Sequence, residues 1–347
     1  MENIEIKVYQ VKCGDCFYVR YSSDDKKVNI FIDAGFSGTY KTTFKKDIKE
    51  ILEKGEKIDL FVITHIDQDH ISGIKPFLKE FGIDKVENFW FNHYDKLIIP
   101  EQDIETEIGV KDGIILRDHF QMKGREMKEI IAGDELIIAD EIKFKILSPS
   151  VEGLKNFKDY WKEEEPKYEF KVSSKKNSDY NKSIEELLLN TFKEDDDIAN
   201  GSSIAFLLEI GTFKCLFSAD AHPSVLYDSL QKLGYTKEKP LKIDFLKVPH
   251  HGSKRNLSNE LLEILDCQNF IFSANGINRD YLPNKETVAR IVSNSTRNIH
   301  EIINLHFNYD NEYLQSIRTN SEEKKFNFKC VYSNHLKINY EIFRESI

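Results

Sequence analysis

Basic side chains are outnumbered in this chain: 49 Lys and Arg stand against 59 Asp and Glu, a formal charge of −10. A surface that wraps duplex DNA without sequence preference is usually basic, so that role is disfavoured for the surface as a whole, while one local groove can still take a nucleic-acid strand. Long apolar runs are also lacking. No stretch of roughly 18 apolar residues occurs, which leaves nothing to span a membrane. The opening Met1–Gln10 alternates polar and apolar residues instead of forming a signal-peptide core. These absences predict a cytoplasmic protein with no membrane partner. Cysteine is sparse: five residues, Cys13, Cys16, Cys215, Cys267 and Cys330. An odd, scattered set predicts reduced thiols. Cys13 and Cys16 have CxxC spacing but no second pair to complete a zinc site, and read as small residues flanking a turn rather than a redox pair. With 8 Pro, 16 Gly and no repeat of fixed period, fibrous and low-complexity architectures are excluded. What is present is apolar mass, 40% of residues, in a chain of 347, enough for one large domain or two.

Hydrophobic periodicity predicts three strands within residues 1–35 and a helix over 42–54. The continuous apolar run from Asp59 to Thr64 reads as a buried strand, followed by a helix near 71–81. Strands are predicted again at 134–147, 203–209, 213–217, 241–248, 269–273, 326–332 and 336–343, with helices at 258–266 and 284–294. Residues 151–199 carry 13 acidic and 9 basic side chains. They read as a solvated, partly mobile insertion, helical around 183–192. Strands interleaved with helices predict an α/β, αββα sandwich of two mixed sheets with helices outside. The chain is expected to be a single domain over 1–347, with the insertion at 151–199 and a strand-containing C-terminal extension at about 298–347.

Three strand ends carry the chemistry. His65, Asp67, Asp69 and His70 lie within six residues, directly after the predicted buried strand. Regular strand alternation would split them, whereas a turn can aim several into one pocket. Mixed imidazole and carboxylate donors suit zinc, manganese or iron. His250 and His251, before Gly252, follow a second apolar strand, so one imidazole can bind metal while its neighbour faces substrate. Asp220 follows a third; its two oxygens can bridge two cations. Trp90, Phe91 and Tyr94, beside His93, read as core packing or as a stacking platform for a base.

Together these clusters resemble the metallo-β-lactamase fold superfamily, in particular the branch containing the C-terminal domain of ComEC competence proteins and phosphorylcholine esterases. The residues that carry the resemblance are Gly14-Asp15, Ile32-Asp33-Ala34-Gly35, the HxDxDH element at 65–70, Asn200 with Ser203, Ser218-Ala219-Asp220, and His250-His251-Gly252-Ser253-Lys254. The resemblance implies a two-metal hydrolase. His65, Asp67 and one of His250 and His251 would hold the first ion, Asp69 and His70 the second, and Asp220 would bridge them. Asp69, His250 and Lys254 are the candidate catalytic residues, with Ser253 and Lys254 placed to meet a phosphate. The implied cofactor is Zn2+, one or two ions, or Mn2+. One departure stands out: Leu282 occupies the position where the branch has a histidine. The second site is then weak, completed by another residue such as Asn284 or His222, or lost.

The expected function is a phosphodiesterase or nuclease that uses a metal-bound hydroxide, acting on a phosphoester such as single-stranded DNA or a nucleotide. Two further readings stay open. One is hydrolysis of a small phosphoester, nucleotide, thioester or lactone. The other is a catalytically degenerate partner or sensor module of a multi-protein defence system, with a protein partner or a homo-oligomer.

Overall fold

The apolar alternation resolves into sixteen strands among the residues that the computed structural model describes: 2–94, 109–123, 128–139, 141–164, 178–278 and 280–342. In chain order they are β1 (Glu2–Val8), β2 (Phe17–Ser22), β3 (Lys27–Ile32), β4 (Ile58–Val62), β5 (Val86–Trp90), β6 (Glu135–Ile138), β7 (Ile142–Ser148), β8 (Ala205–Ile210), β9 (Phe213–Phe217), β10 (Leu241–Ile243), β11 (Phe245–Lys247), β12 (Leu265–Cys267), β13 (Asn269–Phe272), β14 (Ile303–Phe307), β15 (Phe328–Tyr332) and β16 (Lys337–Ile342). A six-stranded sheet runs β16-β1-β2-β3-β4-β5, an eight-stranded sheet runs β15-β14-β13-β11-β9-β8-β7-β6, and β10 pairs with β12 separately. Both large sheets are mixed. β3, β4 and β5 are parallel, as are β9, β11, β13, β14 and β15, while the remaining neighbours are antiparallel.

Side-chain alternation decides which layer each residue enters. Val19, Ile30, Leu60, Phe144, Phe206 and Phe217 point between the two sheets and form one core. The opposite faces are buried too. Tyr18, Phe31 and Phe61 pack under helices 45–53 and 74–81, and Leu207, Leu216 and Leu246 pack under helices 223–232 and 285–292. A strand covered on both faces has no polar side, which is why the run before His65 reads as continuously apolar. The result is the α/β sandwich of two mixed sheets with helices outside.

Some elements differ from expectation. Asp244 interrupts the strand predicted over 241–248. Its Oδ2 accepts the Lys214 N–H at 2.8 Å, and the pieces β10 and β11 join different sheets. Helices Gly109–Met122 and Pro223–Lys232 lie where no periodic signal was read. Residues 298–342 are no appendage: β14 and β15 extend one sheet in parallel and β16 closes the edge of the other on β1.

The charged stretch is more ordered than its composition suggests. Val151–Glu164 is a helix whose Leu154, Phe157 and Trp161 recur on one face and are buried; its charges occupy the other face. The helix expected at 183–192 covers only Ile184–Leu187, opened by a Ser183/Glu186 capping box. Residues 165–177, Asp95, Arg279 and 343–347 lie outside the described residues. Trp161 packs against Phe157 and Phe91 with ring centroids 5.5 and 6.0 Å away. Trp161→Ala is therefore expected to cost about 3–5 kcal/mol of stability, measured by urea denaturation. A loss below about 1 kcal/mol would mean the helix is not part of the core.

Candidate metal centre

Parallel pairing sets the carboxyl ends of β3 and β4 side by side in one sheet, and of β9 and β11 side by side in the other. Side chains just beyond these ends converge on one rim, the usual place for a site in a parallel sheet. Thr64 to His70 follow β4, Ser218 to Asp220 follow β9, and His250 and His251 follow β11. The Gly14-Asp15 turn between β1 and β2 closes in from the side, with the Asp15 N–H donating to Asp69 O at 3.0 Å. Gly14 is required there, because a Cβ would lie 2.4 Å from that same oxygen.

The Asp220 carboxylate is the meeting point. Its Oδ2 lies 3.9 Å from His65 Nε2, 3.7 Å from His250 Nε2 and 3.6 Å from His251 Nε2. Its Oδ1 lies 3.5 Å from His70 Nε2 and 3.7 Å from Lys247 Nζ. Asp69 Oδ2 is 3.1 Å from His251 Nε2, and Asp67 Oδ2 is 3.7 Å from His65 Nε2. All of the sequence-predicted ligands are thus gathered. Among the described residues, Asp15, His70, Asp220 and His251 each offer a ligand atom, all within 4.8 Å of one another.

A second layer holds these groups. Asp33, at the end of β3, lies 2.8 Å from His70 Nδ1 and accepts the Thr64 N–H and hydroxyl at 2.8 Å each. A carboxylate behind an imidazole fixes its tautomer and orients its other nitrogen. Asp195 serves His250 similarly at 3.4 Å from Nδ1, and is itself held by the amides of Asn200 and Asn256 at 2.7 and 3.0 Å. Lys247, 1% exposed, pairs with Asp15 and donates to Ala219 O at 3.0 Å. Sequence reasoning assigned no role to Asp15, Asp33, Asp195 or Lys247. Asp15 and Asp33 were visible only as motif residues. Asp195 sat in the charged stretch, and Lys247 directly precedes the Val-Pro-His-His run.

Other candidates fall elsewhere. Lys254 is exposed, and its ammonium lies 3.3 Å from Glu286 Oε2. Leu282 is buried with its backbone tied to the Asn278 side chain. Asn284 Oδ1 accepts the Lys254 N–H at 3.0 Å and His222 Nε2 lies 3.0 Å from Asp197 O, so neither completes the cluster. Trp90 packs on Phe144 and Phe206 in the core, and Phe91 on Trp161, so these two rings serve core packing rather than base stacking. The Cys13 thiol is pushed well up by burial and by Asp69, against a reactive thiolate.

The electrostatics suit a cation. Burial opposes ionisation of Asp220, but His250, His70 and His251 outweigh it and hold the carboxyl well below its usual range. Burial lowers the three imidazoles, yet their carboxylates win: His70 and His251 are raised, and His250 is pushed up to about 9, chiefly by Asp220 and Asp195. His65 Nε2 and Asp220 Oδ1 are buried without a hydrogen-bond partner. His70 Nε2 and His251 Nε2 stand 3.1 Å apart, a separation at which two ring nitrogens either share a proton or converge on a cation. Orphaned N and O donors of this kind fit a divalent metal.

The pH dependence of the metal-free protein follows. A His250 held at about 9 when folded and ~6.5 when unfolded contributes stability fully present below ~6.5 and lost as the pH rises to about 9. The thermal midpoint of metal-free protein is expected to fall across that window, and His250→Gln to flatten the fall. Because metal takes the neutral imidazole, the rise in midpoint on adding metal grows over the same window. Identical slopes for wild type and His250→Gln would contradict this.

Known proteins resemble parts of this chain. The family model for the "Metallo-beta-lactamase superfamily" matches residues 14–88. ComE operon protein 3 of Bacillus subtilis is 22% identical over 310 residues, 84% of this chain and 31% of that protein. Exodeoxyribonuclease WalJ of Streptococcus pneumoniae is 35% identical over 75 residues, 22% of this chain and 25% of that protein. The chain thus spans less than a third of the length of these relatives. Among solved structures, the metallo-beta-lactamase fold protein YhfI of Bacillus subtilis aligns over 98% of this chain and 100% of its own at 11% identity, with a TM-score of 0.41.

Proposed function

This chain belongs to the metallo-beta-lactamase superfamily, and from that premise we propose that it is a metal-dependent hydrolase of phosphodiesters, with single-stranded nucleic acid as substrate. The observation that carries the proposal is the convergence of His65, His70, His250 and His251 on the buried Asp220 carboxylate from loop ends distant in sequence. His65, Asp67 and one of the adjacent histidines would hold one divalent ion, Zn2+ or Mn2+, and Asp69 and His70 a second, with the Asp220 carboxylate available to both donor sets. Such ions make hydroxide available from water near neutral pH and offset charge on phosphoryl oxygens. The nucleic-acid part rests on the exodeoxyribonuclease name that a short-range relative carries.

The chain's own groups have definite tasks. Asp33 and Asp195 hold the rings of His70 and His250 from behind. Lys247 keeps Asp15 ionised in the interior: burial opposes the charge, but the ammonium and His251 hold Asp15 below the usual carboxylate range. Asp69, its side chain 24% exposed, faces the open side and orients a water for attack. His250, 27% exposed, stands at the mouth where substrate arrives.

A second reading, a small phosphodiester or nucleotide, is favoured by one observation. The cations nearest the mouth are engaged, Lys254 with Glu286 and Arg255 with Asp196 and Glu194 O. Little positive charge is then left to track a long strand. Purified protein given Mn2+ or Zn2+ is expected to cleave single-stranded DNA and bis-p-nitrophenyl phosphate. Asp220→Asn is expected to lose about 100-fold or more in kcat/KM on both. Cleavage of the small ester alone selects the second reading, and no cleavage of either with any divalent ion overturns the hydrolase.

A further inference from the structure

Lys254 and Arg255, beside the two adjacent histidines, are tied to carboxylates. Another flank of the centre carries a cation that is not. Lys12 is exposed, and among the described residues its ammonium meets no carboxylate; it stands over the Phe36 ring, 5.8 Å from the centroid. Phe36 is only half-buried, whereas Phe31 and Phe44 on either side of it in sequence are fully buried. An aromatic ring open to solvent beside an unpaired ammonium offers what a nucleotide needs: a face for the base and a charge for a phosphate.

The loops of the centre itself hold both residues at its edge. Lys12 leads into Gly14, where a Cβ would lie 2.4 Å from Asp69 O and 3.0 Å from Asp69 Cβ. Phe36 follows Asp33, the carboxylate behind His70; between them the Ala34 N–H donates to His70 O at 2.7 Å, and Gly35 O accepts the Gly73 N–H at 2.8 Å. The two turns also pack on each other, since a Cβ on Gly35 would lie 2.5 Å from Val11 Cβ. Lys12 and Phe36 thus flank the Asp69/His70 side, where the Asp69 side chain is partly open. The backbone at Lys12 is left-handed, φ 71°, a conformation that a lysine rarely adopts. Its surroundings fix it there. The Lys12 N–H donates to Tyr309 Oη at 2.6 Å, and the loop after β14 that carries Tyr309 is bound to the same turn twice more: Gln10 Nε2 donates to Asn308 O and Asn308 Nδ2 to Tyr9 O, each at 2.9 Å. From beyond β13, the Ser273 hydroxyl donates to Gly14 O at 2.6 Å. A strained residue that its neighbours over-determine is a common mark of a ligand clamp.

Resting on the phosphodiesterase reading above, we propose that Lys12 and Phe36 form a nucleotide subsite beside the centre, in which the ammonium takes a phosphate next to the scissile one and the Phe36 ring stacks a base. In the free protein the ammonium covers the ring. On binding it exchanges the ring for the phosphate and leaves the face to the base. One cation and one ring match one nucleotide unit, so the subsite selects a short single strand or a strand end, whose bases are free to stack, over a duplex.

The test is binding without turnover. Fluorescein-labelled pentathymidylate is titrated with the full chain in EDTA and followed by fluorescence anisotropy across a range of salt concentrations. Wild type is expected to bind. Lys12→Gln is expected to bind about 5–10-fold more weakly and to lower the slope of log Kd against log salt by about 0.7, the share of one phosphate on a single strand. Phe36→Leu is expected to bind about 10-fold more weakly with the slope unchanged. A wild-type slope in Lys12→Gln, wild-type affinity in Phe36→Leu, or no binding by wild type overturns the subsite; a merely structural role for Lys12 would not move the slope. Turnover in Mn2+ is scored separately. There both variants are expected to raise KM for the same strand and to keep kcat within about twofold. A strand that is bound through Lys12 and Phe36 but not cut with any divalent ion leaves the nucleotide subsite standing and overturns the hydrolase, a distinct result.

Discussion

A carboxylate buried among cations is the constraint on which this molecule turns. Asp220 is 2% exposed, and four imidazoles and the Lys247 ammonium face it within 4 Å. Burying a charge is costly unless it is paired, and these partners are themselves backed by Asp15, Asp33, Asp69 and Asp195. The sandwich exists in the form it does because all of these groups must arrive together. The carboxyl ends of the parallel pairs β3/β4 and β9/β11 deliver positions near 33, 65, 220 and 250 to one rim, and the turn between β1 and β2 brings position 15 in from the side.

The family match covers only part of this. It reaches residues 14–88 and so includes Asp15, Asp33 and the 65–70 element. Asp220, His250 and His251 lie beyond it. They join the site through the pairing of β9 with β11 and through backbone contacts between the loops, such as the His250 N–H donating to Ala219 O at 2.9 Å. The charged stretch also takes part: Asp195 reaches His250 from a segment whose composition reads as solvent-facing, and Asn200 just beyond it holds that carboxylate.

Much of this was legible in the sequence, and the remainder was hidden for physical reasons. The sheets followed from alternation in β1, from β-rich segments such as β2 and β3 and from apolar runs such as β4, and the ligand cluster from His and Asp packed at strand ends. Helix Pro223–Lys232 escaped notice because its apolar stripe is weak. Helix Val151–Glu164 escaped because its three buried side chains are drowned by the surrounding charge. Asp195 and Lys247 could not be found by spacing, since their partners lie far away along the chain. The roles of Trp90 and Phe91 depended on which face of β5 is covered, a question that only packing answers. Lys254 illustrates the converse: motif position suggested phosphate contact, while the turn directs its ammonium to Glu286.

Anomalous diffraction from crystals soaked in manganese would probe the core of the account directly. The predicted result is density beside the Asp220 carboxylate, at bonding distance, about 2.0–2.3 Å, from a ring nitrogen of His65 or of His70. A map with ordered manganese elsewhere and none between these side chains would contradict it.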